Sequence, residues 1–409
     1  MEYSAAQRII DECEKKANKE FEALSEIALE NQKRVLDAFR RHKISAMHFH
    51  GSTGYGYDDV GRDTLAELFA DIFGTESAIV SPLIANGTHA LSLALFGLLG
   101  RGDSLVSIAG KPYDTLDEVI NGENIGSLKD IGVRYGQVDM THEGEFDKEG
   151  IQTAINEYKP KVVFIQRSKG YLWRDALSVE KIAEIAVFIR ELSPFSYIVV
   201  DNCYGEFTEK KEPTHVGADV CIGSLIKNAG GGIAPTGAYI CGKKDCIDKI
   251  ARRFTAPSLG MEVGSYLSGY LPFYQGLFLA PSTVKNALMG NVLSGYVFEK
   301  LGFETMPKPG NMPYDIIKSI RFNTAEQLVS FVQRIQKLSP VDSYVTPEPW
   351  DMPGYTHPVV MAAGTFVQGA SLELSADGTV REPFVAYMQG GLTYEHCKIA
   401  LTEILAEMG

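Results

Sequence analysis

The sequence contains no run of 18 consecutive apolar residues and no concentrated block of basic residues. A helix needs about 20 mostly apolar residues to span a bilayer, so we expect no membrane-spanning segment. The net charge is −13, and with no basic block the chain is not expected to bind nucleic acid. The six cysteines show no C-x-x-C or metal-type spacing. This pattern predicts reduced cytosolic thiols and no metal site.

Targeting and dinucleotide motifs are also absent. Residues 1–26 are charged and helical in period, unlike a signal or transit peptide, so we expect a cytoplasmic protein. The run Gly230-Gly231-Gly232 raises the possibility of a dinucleotide enzyme. No G-x-G-x-x-G sequence opens a helix there, which argues against that class.

The length and apolar content of the chain predict several domains. With 409 residues and 45% apolar content, it can bury a large core. Strand and helix patterns alternate over residues 61–265, which predicts an α/β domain with a mostly parallel sheet. We expect an N-terminal helical arm and loop over residues 1–60. A smaller α+β domain is expected over residues 266–409, with strands in MAAGTFVQ and SLELSAD.

The most informative feature is an acid paired with a lysine. Ile198-Val199-Val200 is typical of a buried parallel strand, and Asp201 follows it, at the strand end where open α/β sheets bind ligands. Lys227 lies in a loop of small and apolar residues, which offers it no exposed amphipathic helix. A pyridoxal-phosphate enzyme needs a lysine to hold the aldehyde as a Schiff base and a carboxylate to keep the pyridine nitrogen protonated. Alone, such an Asp is commonly a helix cap and such a Lys a surface residue, so the pair is more specific than either member.

Three motifs surround this pair: Val200-Asp201-Asn202-Cys203-Tyr204, Gly217-Ala218-Asp219 and Ser224-Leu225-Ile226-Lys227. Together they resemble the lysine loop of fold-type I pyridoxal-phosphate enzymes, within the Cys/Met-metabolism group of cystathionine lyases and methionine γ-lyase. Over residues 50–400, including QRSKGY and YMQGGLTYEH, the chain is similar to the bacterial aluminium-resistance proteins, described as cystathionine β-lyases or methionine γ-lyases. The resemblance implies an aspartate aminotransferase-like fold and pyridoxal 5′-phosphate (PLP) as cofactor.

The resemblance also implies roles around the cofactor. Asn86, Gly87 and Thr88 lie between a predicted strand and a predicted helix, where backbone N–H groups bind phosphate. Taken alone, this tripeptide is an ordinary helix cap. Ser224 would add a hydroxyl to the phosphate. Tyr113 would stack on the pyridine ring, and its hydroxyl would help to expel the leaving group.

Three further candidates concern the neighbouring subunit and the substrate. Tyr55 matches a tyrosine that reaches the neighbour's cofactor phosphate in the related lyases, whereas Tyr57 stands where those enzymes have arginine. Tyr57 is kept as a substrate-binding candidate, the alternative being a surface turn. Arg381 is the candidate for the substrate carboxylate, because a guanidinium can bind a carboxylate through two hydrogen bonds; the alternative is a solvated arginine.

The segment Gln166–Tyr171 departs from the lyases, because it lacks the asparagine that contacts the cofactor ring there. Ser168 or Lys169 is an alternative for that contact, and the two cations of the segment are alternatives for binding phosphate or substrate.

We therefore expect a PLP-dependent carbon–sulfur lyase that acts on a sulfur-containing amino acid by β- or γ-elimination. Its partners are expected to be the amino-acid substrate and further copies of itself, as a homodimer or homotetramer with shared active sites. The alternatives are an aminotransferase, another fold-type I enzyme, or a PLP-binding protein without turnover.

Overall fold

The N-terminal arm is helical, as predicted. The computed structural model describes residues 1–352 and 357–408, and it begins with helices α1 (Tyr3–Lys16) and α2 (Asn18–Arg41). The apolar stripe of the arm, including Ile10 and Leu24, is buried in the main core of its own chain. The stripe is therefore covered without a partner subunit.

Seven strands form the larger sheet. They are β1 (Ser77–Ser81), β2 (Ser104–Ser107), β3 (Arg134–Gln137), β4 (Val162–Gln166), β5 (Tyr197–Asp201), β6 (Val220–Ser224) and β7 (Ala238–Gly242). Their order is β1-β7-β6-β5-β4-β2-β3. Neighbours from β3 to β6 are parallel, whereas β7 is antiparallel to both β1 and β6. The predicted mostly parallel sheet is confirmed.

Helices cover both faces of this sheet. They are α3 (Val60–Ile72), α4 (Gly87–Leu98), α5 (Asp114–Asn121), α6 (Lys148–Tyr158), α7 (Val179–Leu192) and α8 (Lys244–Phe254). In β4, Val162 and Phe164 face a core shared with α4 and α8, while Val163 and Ile165 face a core shared with α6 and α7. Burial on both faces explains why these strands appear as continuous apolar runs in the sequence.

The C-terminal part contains a second, antiparallel sheet. Its elements are α9 (Leu271–Lys300), β8 (Glu304–Met306), β9 (Ile317–Arg321), α10 (Ala325–Lys337), β10 (Val359–Ala362), β11 (Ser375–Thr379), β12 (Val385–Gln389) and α11 (Tyr394–Met408). The strand order is β10-β11-β12-β9-β8. The two sheets fall within the two residue ranges predicted as domains, and the domain boundaries themselves stay a prediction.

The strands predicted in this part were placed wrongly. MAAGTFVQ is extended only as far as Ala362, and in SLELSAD the strand begins at Ser375. Between them, buried Glu373 accepts hydrogen bonds from the backbone N–H groups of Phe366 and Val367, at 2.8 and 2.9 Å. This carboxylate holds the intervening residues as a loop, so their apolar side chains do not indicate a strand.

No helix among residues 1–352 and 357–408 is both long and apolar enough to cross a membrane.

Candidate active site

The predicted acid and lysine lie at the same edge of the larger sheet. Asp201 is the last residue of β5, and Ser224 is the last residue of the parallel neighbour β6, three residues before Lys227. Asp201 is buried and accepts a hydrogen bond from the backbone N–H of Cys203 at 3.1 Å. Lys227 keeps part of its surface accessible. Lys227 is therefore the more exposed member of the pair.

The two groups change each other's protonation. Burial raises the pKa of Asp201, and the nearby ammonium of Lys227 opposes this rise. Burial alone would lower the pKa of Lys227, but Cys203, Tyr204 and Asp201 together raise it above its ordinary value. Opposite charges at a sheet edge with little water stabilise each other. The sheet edge thus holds a positively charged lysine near a buried carboxyl group that accepts a hydrogen bond from the Cys203 backbone.

The start of α4 faces these strand ends. Asn86 caps the helix by accepting a hydrogen bond from the backbone N–H of His89 at 2.9 Å. A Cβ atom on Gly87 would lie 3.3 Å from Cys203 Sγ and 3.5 Å from Ser224 Cβ, so the helix start approaches both strands closely. The Ser224 hydroxyl is buried and has no hydrogen-bond partner among the described residues. An unpaired buried hydroxyl beside a helix N-terminus suits an anion such as a phosphate.

Tyr113 stands at the same edge. Its hydroxyl lies 2.9 Å from the Thr88 hydroxyl, and its backbone N–H donates to Gln166 Oε1 at 3.0 Å. Burial, followed by the charge of Asp201, raises the pKa of Tyr113 well above its ordinary value. The hydroxyl therefore stays protonated near neutral pH.

Sequence reasoning missed two residues of this site. Gln166 ends β4, pairs in register with Asp201 and holds the backbone of Tyr113. Tyr204 places its ring 3.9 Å from the Nζ atom of Lys227. Both positions could have been found from the sequence. Gln166 ends one predicted strand, and Tyr204 follows the predicted strand that ends at Asp201.

Two side chains of the segment Gln166–Tyr171 contact the C-terminal part of the chain. The Ser168 hydroxyl donates to Asp315 Oδ2 at 2.9 Å, and Lys169 Nζ donates to the Met306 carbonyl at 2.8 Å. Both side chains are buried against the C-terminal sheet, so neither supplies the missing ring contact in this structure. The segment instead joins the larger sheet to the smaller one.

The candidates Tyr55, Tyr57 and Arg381 are exposed at the protein surface. Tyr55 and Tyr57 are 70% and 59% exposed, with ring centroids 5.5 Å apart. Arg381 is exposed in the connection between β11 and β12. Burial raises the pKa of the Tyr387 hydroxyl, and the positive charge of Arg381 opposes this rise. Tyr387 packs in the same small apolar cluster as Tyr204.

No group of three or more His, Cys, Asp or Glu side chains within residues 1–352 and 357–408 is arranged to hold a metal ion. The six cysteines are free and buried.

Comparison with known proteins identifies the family. The family model for methionine gamma-lyase matches residues 6–409. The chain belongs to the methionine gamma-lyase family. It is 51% identical to the uncharacterized protein YnbB of Bacillus subtilis over 381 residues, which cover 92% of this chain and 90% of YnbB.

Two solved structures show how far the likeness extends. A carbon–sulfur lyase involved in aluminium resistance from Clostridium novyi superposes with a TM-score of 0.95 and 46% identity, covering 99% of this chain and 96% of that one. The pyridoxal-5′-phosphate-dependent protein YhfS of Escherichia coli superposes with a TM-score of 0.63 and 17% identity, covering 93% and 96%. The second likeness shows the fold alone. The predicted family and the fold-type I architecture are confirmed.

Family membership implies PLP as the cofactor, and the residues of the site fit it. The buried, unpaired Ser224 hydroxyl and the N-terminus of α4 suit the phosphate, and the carboxyl group of Asp201 suits a protonated ring nitrogen. Lys227 is half-buried at the same edge.

Proposed function

We propose that this protein is a PLP-dependent carbon–sulfur lyase acting on a sulfur-containing amino acid. The observation that carries the proposal is the convergence of Lys227, Asp201 and the pair formed by Gly87 and Ser224 at one sheet edge. Family membership and the carbon–sulfur lyase from Clostridium novyi support the same reaction class.

When bound, PLP withdraws electrons from the α-carbon of an amino acid. Each side chain of the site has a separate proposed role. Lys227 would hold the cofactor aldehyde and, once released, remove the proton from the substrate α-carbon. Asp201 would keep its negative charge beside the ring nitrogen. Gly87, Thr88 and Ser224 would hold the phosphate.

The net reaction breaks the α-carbon–hydrogen bond and a carbon–sulfur bond at Cβ or Cγ. The sulfur leaves as a thiol, and addition of water yields an α-keto acid and ammonia. Tyr113 would give a proton to the departing sulfur, a role supported by its protonated hydroxyl next to Thr88.

The reaction class is tested on the purified protein loaded with PLP. Cystathionine, cysteine and methionine are supplied in turn, and pyruvate, 2-oxobutanoate and ammonia are measured. A keto acid formed together with a thiol supports the lyase. Keto acid that forms only with an added amino acceptor would indicate an aminotransferase, and no turnover in the PLP-loaded protein would indicate a binding protein.

We expect that Arg381→Met raises KM by about 10- to 100-fold and changes kcat less, because the lost bidentate contact is to a charged substrate group. Arg381→Lys should recover part of the affinity, and Arg252→Met, which removes an exposed arginine on α8, should leave KM unchanged. The measurement is steady-state kinetics of the elimination. An unchanged KM in Arg381→Met would mean that this arginine is only solvated.

The active site is also proposed to be shared between two subunits. The loop of Tyr55 is ordered by the hydrogen bond from the Gly264 N–H to the Tyr55 carbonyl at 2.9 Å and by Arg62, which donates to the Gly56 carbonyl at 2.8 Å. An anchored loop that exposes two aromatic rings suits contact with a second copy.

Mixing two inactive variants tests this sharing. Refolded mixtures of Lys227→Ala and Tyr55→Ala chains should recover about a quarter of the wild-type activity, because random pairing makes half of the dimers hybrid and each hybrid holds one intact site of two. Lys227→Ala mixed with Asp201→Asn is the control and should recover nothing, since both changes lie on the same side of the site. Hybrids that form without recovery, or an active monomer in sedimentation, would contradict a shared site.

A further inference from the structure

The amine of Lys227 lies over the face of an aromatic ring. Its Nζ atom is 3.9 Å from the centroid of Tyr204, well inside the range of about 6 Å for a cation–π contact. The ring packs at the edge of a cluster of Ile317, Val385 and Tyr387. This cluster keeps water from one side of the contact, which strengthens the attraction between the ammonium and the ring.

Tyr204 is held in an unusual backbone conformation. Its φ angle is +71°, in the left-handed region that side chains other than glycine rarely adopt. Such a conformation persists only where surrounding contacts impose it. The contact here comes from Asn228, which is buried and whose Nδ2 donates to the carbonyls of Tyr204 and Glu206 at 2.9 and 3.0 Å.

Asn228 directly follows Lys227, so one residue links the lysine backbone to the turn that carries the ring. Its Oδ1 atom is buried without a hydrogen-bond partner among the described residues, a cost that an apolar side chain would avoid. The amide is therefore better explained by its two donated hydrogen bonds than by packing. A further contact joins the Tyr204 hydroxyl to the Ser371 hydroxyl at 3.2 Å.

We propose that Tyr204 is a positioning residue for Lys227, that its ring stabilises the positive charge on the lysine nitrogen, and that Asn228 holds the ring in place. The proposal rests on the proposed role of Lys227 as the lysine that binds the cofactor. The aromatic ring carries the effect. The hydroxyl lies 3.2 Å from the Ser371 hydroxyl, and the Tyr204→Phe variant separates its effect from that of the ring.

The test uses the PLP-loaded protein without substrate and follows its absorbance against pH, because the band changes when the lysine–cofactor linkage loses its proton. Tyr204→Leu removes the ring and should lower the pH of this change by about one unit, which corresponds to a tenfold change in proton affinity. Tyr204→Phe and Ser371→Ala keep the ring and should leave it within about 0.3 unit of the wild type. Asn228→Ala should shift it in the same direction as Tyr204→Leu.

Thermal unfolding and bound-cofactor content confirm that each variant is folded and loaded, and Tyr204→Met replaces Tyr204→Leu if the latter does not fold. An unchanged titration in the ring-free variants would overturn the proposal, and so would a shift in Tyr204→Phe as large as that in Tyr204→Leu. Absence of the band in the wild-type protein would instead contradict the cofactor role of Lys227. The two failures are therefore distinguishable.

Discussion

Lys227→Ala should abolish both the visible absorbance and the elimination activity of the PLP-loaded protein. The absorbance would arise from the protonated link between the lysine nitrogen and the conjugated ring. The same residue is proposed to remove the α-proton, so its loss should reduce the rate by several powers of ten. The measurements are an absorbance spectrum, borohydride reduction followed by peptide mapping, and a keto-acid assay.

Lys244→Ala is the matched control for Lys227→Ala. Lys244 is a surface lysine at the start of α8, and its loss should change neither spectrum nor rate. If Lys227→Ala stays yellow and borohydride still fixes the cofactor to the protein, the assignment of Lys227 is wrong. Lys169 would then be the next lysine to map, although its amine donates to the Met306 carbonyl in this structure.

Asp201→Asn should bind PLP and yet lose most of its activity. The amide has the size of the carboxyl group and still accepts the hydrogen bond from the Cys203 N–H, so the fold should be kept. A neutral amide cannot stabilise a positive charge on the ring nitrogen at a buried position. We expect the rate to fall by several powers of ten, similar to the loss of other preorganised electrostatic groups.

Asp219→Asn provides the control for Asp201→Asn. Asp219 is equally buried, but it forms ion pairs with Arg190 and Lys243 at the opposite end of β6. Its replacement should lower the melting temperature and leave the turnover of the remaining folded enzyme unchanged. Near-normal turnover in a folded Asp201→Asn variant would show that Asp201 only caps its strand.

The large sheet was predictable because its signals are local. The central parallel strands β4 and β5 are apolar runs buried on both faces, and such runs alternate in the sequence with helical patterns. The smaller sheet was harder. Strand β9 contains buried Lys318 and Ser319, so its sequence lacks an apolar run, while SLEL is apolar at alternate positions but is held in a loop by Glu373.

In the candidate active site, too, some features were predictable from the sequence and others were not. Asp201, Ser224 and Gly87 were predictable, because a residue at the carboxyl end of a parallel strand or at the start of the following helix lies at one sheet edge in any chain of this topology. The contact between Tyr113 and Gln166 was not, although Gln166 ends a predicted strand, since the two residues lie 53 positions apart and only the pairing of β2 with β4 brings them together.

The sequence by itself was sufficient for the family and, through the family, the cofactor, because the motifs around Asp201 and Lys227 consist of residue types at fixed spacings along the chain. Only the tertiary structure decided which way the long side chains point. It directs Lys169 to the C-terminal sheet and Lys227 to the ring of Tyr204, although both lysines follow strands that end at the same edge. The physical reason is that a lysine has several rotatable bonds, and its position is set by the carbonyls, rings and charges that distant segments place around it.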